Sequence, residues 1–268
     1  MNNATLAQLT RHTRVAVQKA ADFIRGEAGK VQPGQVEEKF LNGLVSYVDR
    51  GAEEILVEAL GRLLPDAAFL TEEETVAQTD APLQWIIDPL DGTTNFLFNL
   101  PHYAVSVGLR SGNALLVGVV QHVPLNQQYY AWAGGGAFCD EQRIRVSQRA
   151  SMSGCLVATG FPYNAFDREE DYFRALKVFM NTSRGVRRFG AAALDLAYVA
   201  SGQYDVFFEY GLSPWDIAGG ALLVQEAGGR VGDFDSGRDY LFDGELVAAN
   251  GLVFEDAQGV LKQHFTKN

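Results

Sequence analysis

The sequence predicts a mixed α/β fold, and three features of it do so. Residues 5–25 repeat apolar side chains at helical spacing, with Leu6, Leu9, Ala16, Ala20, Phe23 and Ile24 on one side. Residues 103–109, 115–120 and 128–133 are short apolar runs separated by turn formers, the pattern of an antiparallel meander. Beyond Ala150, short apolar runs alternate with longer helical ones. With 268 residues, 47% of them hydrophobic, the chain can bury one large core or two tightly joined halves, which excludes a disordered polymer.

Taken in order, the amphipathic helix over 5–25 comes first. A second helical run carries Ile55, Leu56, Ala59, Leu60, Leu63 and Leu64 and is ended by Pro65, and Asp49 just before it suits an N-cap. The apolar run Ala67-Ala68-Phe69-Leu70 reads as a strand ending in Glu72-Glu73-Glu74. Trp85-Ile86-Ile87 reads as a strand buried on both faces, and Pro89, which cannot donate to a ladder, should stop it at Asp88. Gly134-Gly135-Gly136 lies between two strands of the meander, not between a strand and a helix, so it is no dinucleotide loop. A strand at 156–159, helices at 168–181 and 191–201, a strand at Val206-Phe207-Phe208 and a helix at 217–227 closed by Gly228-Gly229 follow. A boundary near residue 145 divides one catalytic unit into halves, 1–145 and 146–268.

The charge balance narrows the function. A net charge of -11 argues against unspecific nucleic-acid binding, which draws on Lys and Arg contacts to phosphates. No apolar run is long enough to span a membrane and the N-terminus lacks the pattern of a signal peptide, so no membrane partner and a cytoplasmic location are expected. Cys139 and Cys155 show no metal spacing and read as free thiols. His12, His102, His122 and His264 form no triad and no Gly-x-Ser-x-Gly elbow exists, so serine hydrolase chemistry has no support.

The run Trp85-Ile86-Ile87-Asp88-Pro89-Leu90-Asp91-Gly92-Thr93-Thr94-Asn95-Phe96 carries the chemistry. A tight turn after the strand would bring Asp88 and Asp91 together, and two such carboxylates raise each other's pKa unless a cation lies between them. Gly92 then lets the backbone approach a ligand, and Thr93, Thr94 and Asn95 offer hydroxyl and N–H groups to a phosphate. The competing reading is a solvated turn, since Asp, Gly, Asn and Thr are common turn formers. The rest of the chain weighs against it. Besides the upstream acids, Pro214-Trp215-Asp216-Ile217-Ala218-Gly219-Gly220 opens a helical run with Asp216 at its start, where capping competes with ligation.

These residues match a known family. The chain resembles the inositol monophosphatase family of Mg²⁺-dependent phosphatases, in its bacterial branch, from about Lys39 to about Gly229. The Asp88-to-Asn95 run is the first signature, Trp215-Asp216 with Glu226-Ala227-Gly228-Gly229 the second, and Glu72-Glu73 a third, with Thr71 where many members carry Gly. The resemblance implies a layered α/β (α+β) sandwich with helices between two sheets. It implies that Glu72, Asp88, the Leu90 carbonyl, Asp91 and Asp216 hold two or three Mg²⁺ ions. All are oxygen donors, which suits a hard cation. Asp49 and Thr93, with Glu72, match the catalytic set that activates water, and Asp49 can cap its helix as well. Gly92, Thr93 and Thr94 match the phosphate-holding turn. Glu209 and Asp216 match contacts to substrate hydroxyls, the competing reading of Glu209 being an exposed loop acid. Gly190, Ala191 and Ala192 match the lining of the ring pocket, and Asp195 nearby is either part of it or structural. Lys39 matches a lysine of a metal-site loop, in which Gly43 stands where an Asp is usual.

The activity so implied is hydrolysis of inositol monophosphate by attack of a metal-activated water on phosphorus, with Li⁺ sensitivity and a homodimeric state. The substrate is then a small-molecule phosphate ester. Within the superfamily, 3′-phosphoadenosine 5′-phosphate, fructose 1,6-bisphosphate and histidinol phosphate are alternatives, because only the pocket differs. A binding module that holds metal and phosphate without turnover is the reading from another class.

Overall fold

Apolar residues on both faces of two sheets force helices onto every face, and the result is five layers. The computed structural model describes the chain apart from residues 41–42, 80, 163–166, 236–238 and 266–268 and the side chains of residues 39 and 40. Helices α1 (Asn3–Glu27) and α2 (Tyr47–Leu63) form the first layer, with the two-stranded ribbon β1 (Val36–Phe40) and β2 (Gly43–Ser46) between them in sequence. The second layer is a seven-stranded sheet in the order β3 (Ala68–Thr71), β4 (Leu83–Asp91), β5 (Ala104–Ser111), β6 (Ala114–His122), β7 (Gln127–Trp132), β8 (Gly136–Cys139), β9 (Gln142–Arg143). Only the β3–β4 pair in it is parallel; the rest is the predicted meander. A five-residue helix, α3 (Thr93–Leu97), follows β4.

The second half of the chain builds the other layers. Strands β10 (Leu156–Thr159), β11 (Gly185–Arg187), β12 (Val206–Tyr210), β13 (Gly229–Gly232) and β14 (Glu245–Asn250) form a five-stranded mixed sheet in the order β11-β10-β12-β14-β13. Helices α4 (Glu169–Thr182) and α7 (Phe254–Phe265) cover its outer face. Helices α5 (Ala192–Ala200) and α6 (Pro214–Glu226) lie between the two sheets, as the resemblance implies. Cys139 and Cys155 are free thiols. Among the described residues no helix is long and apolar enough to cross a membrane.

Strand alternation divides the core. Trp85 and Ile87 pack with α1 and α2, whereas Ile86 packs with α5 and α6, so β4 is buried on both faces as its sequence predicts. In β12, Phe207 faces the central layer and Val206 and Phe208 face α4 and α7. The central layer is thin because small residues let α6 approach the large sheet. A Cβ added at Gly118 of β6 would lie 2.5 Å from the carbonyl oxygen of Gly219 in α6, and one at Gly108 of β5 would lie 2.6 Å from the Ala218 methyl.

Three local expectations are corrected. The strand does not stop at Asp88, because β4 runs to Asp91 and Pro89 sits at an irregularity within it. Neither Asp49 nor Asp216 is an N-cap. Ser46 and Ser213 are the N-caps of α2 and α6, and each Asp is the third residue of its helix, bonded back to the cap backbone in a capping box. Glu209 does not follow its strand but lies within β12.

The close approach of α6 predicts that Gly118→Ala lowers the unfolding free energy in urea by ~1–3 kcal/mol, because the helix must lift from the sheet. Gly26→Ala, in α1 with nothing within 4 Å of the new methyl, should not lower it.

Candidate active site

A one-residue irregularity creates the site. Asp88 pairs with Ser106 and Asp91 with Ala104, so three steps along β4 match two along β5 and one residue bulges out. In a regular strand, residues three apart face opposite sides; the bulge cancels that, and both carboxylates turn to the central layer. The Asp88 carboxylate holds the bulge by accepting from the Leu90 N–H at 2.9 Å. The two acids therefore meet within a continuous strand and not across a turn after it.

Neighbouring elements add the remaining acids. Thr71 of β3 pairs with Ile87, and the Glu72 N–H continues the ladder to the Ile87 carbonyl at 3.2 Å, which sets Glu72 beside Asp88. From the opposite side, the Ser106 hydroxyl reaches the Trp215 carbonyl at 3.4 Å and so ties the first turn of α6 to the partner residue of Asp88. The outcome is that carboxylate oxygens of Asp88, Asp91 and Asp216 lie within 4.8 Å of one another. The first turn of α5 also contributes, its Ala193 N–H donating to Asp91 at 2.8 Å.

Asp49 and Thr93 form one unit at the edge of this cluster. The Thr93 hydroxyl stands 2.8 Å from Asp49 Oδ1 and 2.9 Å from the Leu90 carbonyl oxygen, so its single proton has two acceptors. Asp49 Oδ2 accepts from the Ser46 N–H and hydroxyl, both at 2.8 Å, and its ring of donors fixes the carboxylate.

These groups line or support one cavity of about 360 Å³. Its floor holds Glu72, Asp88, Leu90, Asp91 and Asp216, and one wall is the turn Gly92, Thr93 and Thr94. Gly92 adopts φ +87°, and a Cβ there would press on the carbonyls of His102 and Gly190. The opposite wall carries Gly190, Ala191, Ala192 and Glu209. Asp49 and Asp195 lie outside the lining, Asp49 behind Thr93 and Asp195 buried in α5. Asn95 differs from expectation. Its side-chain amide is spent on the carbonyls of His102 and Phe189, at 2.7 and 2.8 Å, and ties α3 to the segment before α5 rather than facing a ligand. Gly43 lines the cavity, while the Lys39 side chain lies outside the described residues.

Two residues that shape the cavity carry no sequence signal. Arg188 stands at the rim and draws down the pKa values of Asp91 and Glu209, yet in sequence it is one of a pair of ordinary surface arginines. Gly160 leaves the space that the Glu209 carboxylate fills, since an added Cβ would lie 2.1 Å from its oxygens. No turn pattern marks that glycine.

Burial dominates the electrostatics. It raises Asp88 well above the ordinary carboxylate range, and the charges of Glu72, Asp91 and Asp216 push the same way. Asp91 is pushed up to about 7 by burial, against the Ala193 N–H that favours its charged form. Asp216 is pushed up to about 7 by burial and by Asp91. Glu209 rises to about 8 through burial and Asp216, with Arg188 opposing. Asp49 is raised by burial, with the hydrogen bonds from Thr93 and Ser46 working against it.

The model of the inositol monophosphatase family matches residues 5–267. The chain belongs to the inositol monophosphatase family. It is 41% identical to the inositol-1-monophosphatase of Mesorhizobium japonicum, covering 89% of this chain and 90% of that one. It is 40% identical to the Nus factor SuhB of Pseudomonas aeruginosa, covering 93% and 94%. Among solved structures, the extragenic suppressor protein suhB of Bartonella henselae superimposes with a TM-score of 0.86 at 38% identity, covering 94% of this chain and 97% of that one. The inositol monophosphatase of Anabaena (Nostoc) sp. PCC 7120 superimposes with a TM-score of 0.84 at 32% identity, covering 96% of each chain, and the layered α/β architecture of both structures is the one described above.

The residues present fit the metal on which the inositol monophosphatase family depends. The clustered donors are carboxylate oxygens, joined by no Cys or His among the described residues, which suits a hard divalent cation. Their raised pKa values mean that the folded chain, without a cation, holds protons there which the unfolded chain releases.

The sign of the pH effect follows. Stability from Asp91 and Asp216 is present below 3.8, their ordinary value, and is lost as pH rises through about 7. The metal-free wild type should therefore melt progressively lower than a metal-free Asp216→Asn variant as pH rises across that window. Excess Mg²⁺ should reverse the trend, since a cation replaces the protons. Parallel melting curves at every pH would contradict the cluster.

Proposed function

We propose that this chain is a Mg²⁺-dependent phosphomonoesterase that hydrolyses an inositol monophosphate to inositol and phosphate. The observation that carries the proposal is the approach of Asp88, Asp91 and Asp216 to within 4.8 Å in a cavity also lined by the turn Gly92, Thr93 and Thr94 and by the buried Glu209. Glu72, Asp88, the Leu90 carbonyl, Asp91 and Asp216 would hold two or three Mg²⁺ ions. Bound there, Mg²⁺ neutralises the carboxylates, polarises the phosphate ester and makes water a better nucleophile.

The chain's own residues do the rest. The Thr93 hydroxyl donates to Asp49 and keeps its lone pairs free to accept from the attacking water, so a proton passes from water through Thr93 to Asp49 as the water oxygen bonds to phosphorus, the ester P–O bond breaks and the leaving inositol oxygen takes a proton from solvent. Burial raises Asp49, which makes it a stronger base than an exposed Asp. Gly92, Thr93 and Thr94 hold the phosphate, and Arg188 at the rim favours an anion. Glu209, within β12 and fixed against Gly160, accepts hydroxyl hydrogen bonds from a polyol ring. Gly190, Ala191 and Ala192 leave room for the ring.

A second role is carried by a relative's name alone: the chain serves as a Nus factor, as the name of the Pseudomonas relative reads. An Asp216→Asn variant that is dead in hydrolysis yet supports growth wherever the wild type is needed would favour that role over the enzymatic one.

Three outcomes test hydrolysis. Phosphate release from inositol monophosphate should require Mg²⁺ in the millimolar range and be inhibited by Li⁺; release that survives excess chelator ends the metal mechanism, and a clear preference for a nucleotide ester within a panel changes the substrate. Thr93→Ala should lower kcat ~10²–10⁴-fold on every ester. Glu209→Gln should act chiefly on KM, and far less for an ester without ring hydroxyls. Equal losses on both esters would remove Glu209 from polyol recognition.

A further inference from the structure

One turn along α2 from Asp49, at i+4 and hence on the same helix face, lies a second buried carboxylate, Glu53, which is fully inaccessible to solvent. It accepts four hydrogen bonds from the end of β3 and the segment that follows it. Oε1 takes the Thr71 hydroxyl at 2.9 Å and both the N–H and the hydroxyl of Thr75 at 2.7 Å, and Oε2 takes the Glu73 N–H at 2.8 Å. These donors bracket Glu72 on both sides. Within the segment, Glu74 adopts a left-handed φ of +52°, a conformation that a non-glycine residue holds only when its surroundings impose it. Gln78 closes the far side, accepting from the Thr71 N–H at 2.8 Å and donating to the Thr71 hydroxyl at 3.1 Å.

We propose that Glu53 is a positioning residue for metal binding: it clamps residues 71–75 so that the Glu72 carboxylate is presented to Asp88 and Asp91. The clamp rests on Glu72 being a metal ligand, as the proposed function has it. The same helix face then holds two parts of the site, with Asp49 on Thr93 and Glu53 on the Glu72 segment. Glu53 itself does not line the cavity and touches no reacting atom. Its effect reaches the metal only through the geometry of Glu72, which is how groups behind a ligand tune affinity.

The test compares Glu53→Gln, Glu72→Gln, the double variant and Thr75→Val in the full chain. Two readouts apply: the Mg²⁺ concentration that produces half of the metal-dependent rise in melting temperature, and kcat and KM at saturating Mg²⁺. Glu53→Gln should raise the half-effective Mg²⁺ concentration ~10–100-fold while leaving KM for the ester little changed. The double variant should be no worse than Glu72→Gln alone, since both act on one ligand. Thr75→Val removes one bond and leaves the buried charge with three, so it should shift the Mg²⁺ requirement in the same direction by a smaller factor. If Glu53→Gln fails to fold, Thr75→Val carries the test. A uniform loss of melting temperature with an unchanged Mg²⁺ requirement, or additive losses in the double variant, would overturn the proposal. An inert Glu72→Gln would instead locate the failure in the reading of Glu72 as a ligand.

Discussion

Carboxylates gathered in a buried cavity repel one another, and the architecture around this site answers that repulsion. Asp91 and Asp216 both meet helix N-termini, Asp91 through the Ala193 N–H of α5 and Asp216 through the Ser213 N–H that precedes α6. The positive ends of two helix dipoles thus point at the cluster from the central layer. Those interactions oppose the effect of burial without abolishing it, because Asp91 and Asp216 still rise to about 7. The residual strain is what a bound cation would relieve, so the geometry that weakens the metal-free fold is the one on which the proposed metal site would draw. Function and stability are coupled here through charge.

The arrangement also explains why helices lie between the sheets. Only a central helical layer can direct the first turns of α5 and α6 at the end of β4, where the acids emerge. Small residues at Gly108, Gly118 and Gly219 bring α6 close enough for Asp216 to reach Asp88 and Asp91. The packing of the core and the assembly of the site are one event.

Much of this was legible in the residues. The apolar run Trp85-Ile86-Ile87 marks a strand covered on both faces, and the meander and the helices α4, α5 and α6 stand within a few residues of their predicted ends, whereas α7 and the strands β13 and β14 had no prediction. Spacing set Asp88 and Asp91 close together, the family resemblance added Asp216, and the three carboxylates do cluster. What escaped depends on contacts distant in sequence. Ser46 and Ser213 as caps were hidden by the acids three residues on, which satisfy the same pattern. Asn95 looks like a ligand donor until the segment at Phe189 is folded against it. The two outer helical layers follow from strands buried on both faces, but which helix covers which face is a property of the assembled sheets.

The bulge in β4 has a bearing on how such sites arise. Two acids separated by two residues face opposite ways in any regular strand, so substitution alone cannot build this pair there; the backbone must first gain a residue. The spacing of Asp88 and Asp91 is therefore a record of chain length as much as of chemistry, and a gap placed between them would reverse the face on which Asp91 lies. Parity makes this stretch intolerant of insertion and deletion even where its individual side chains could be exchanged.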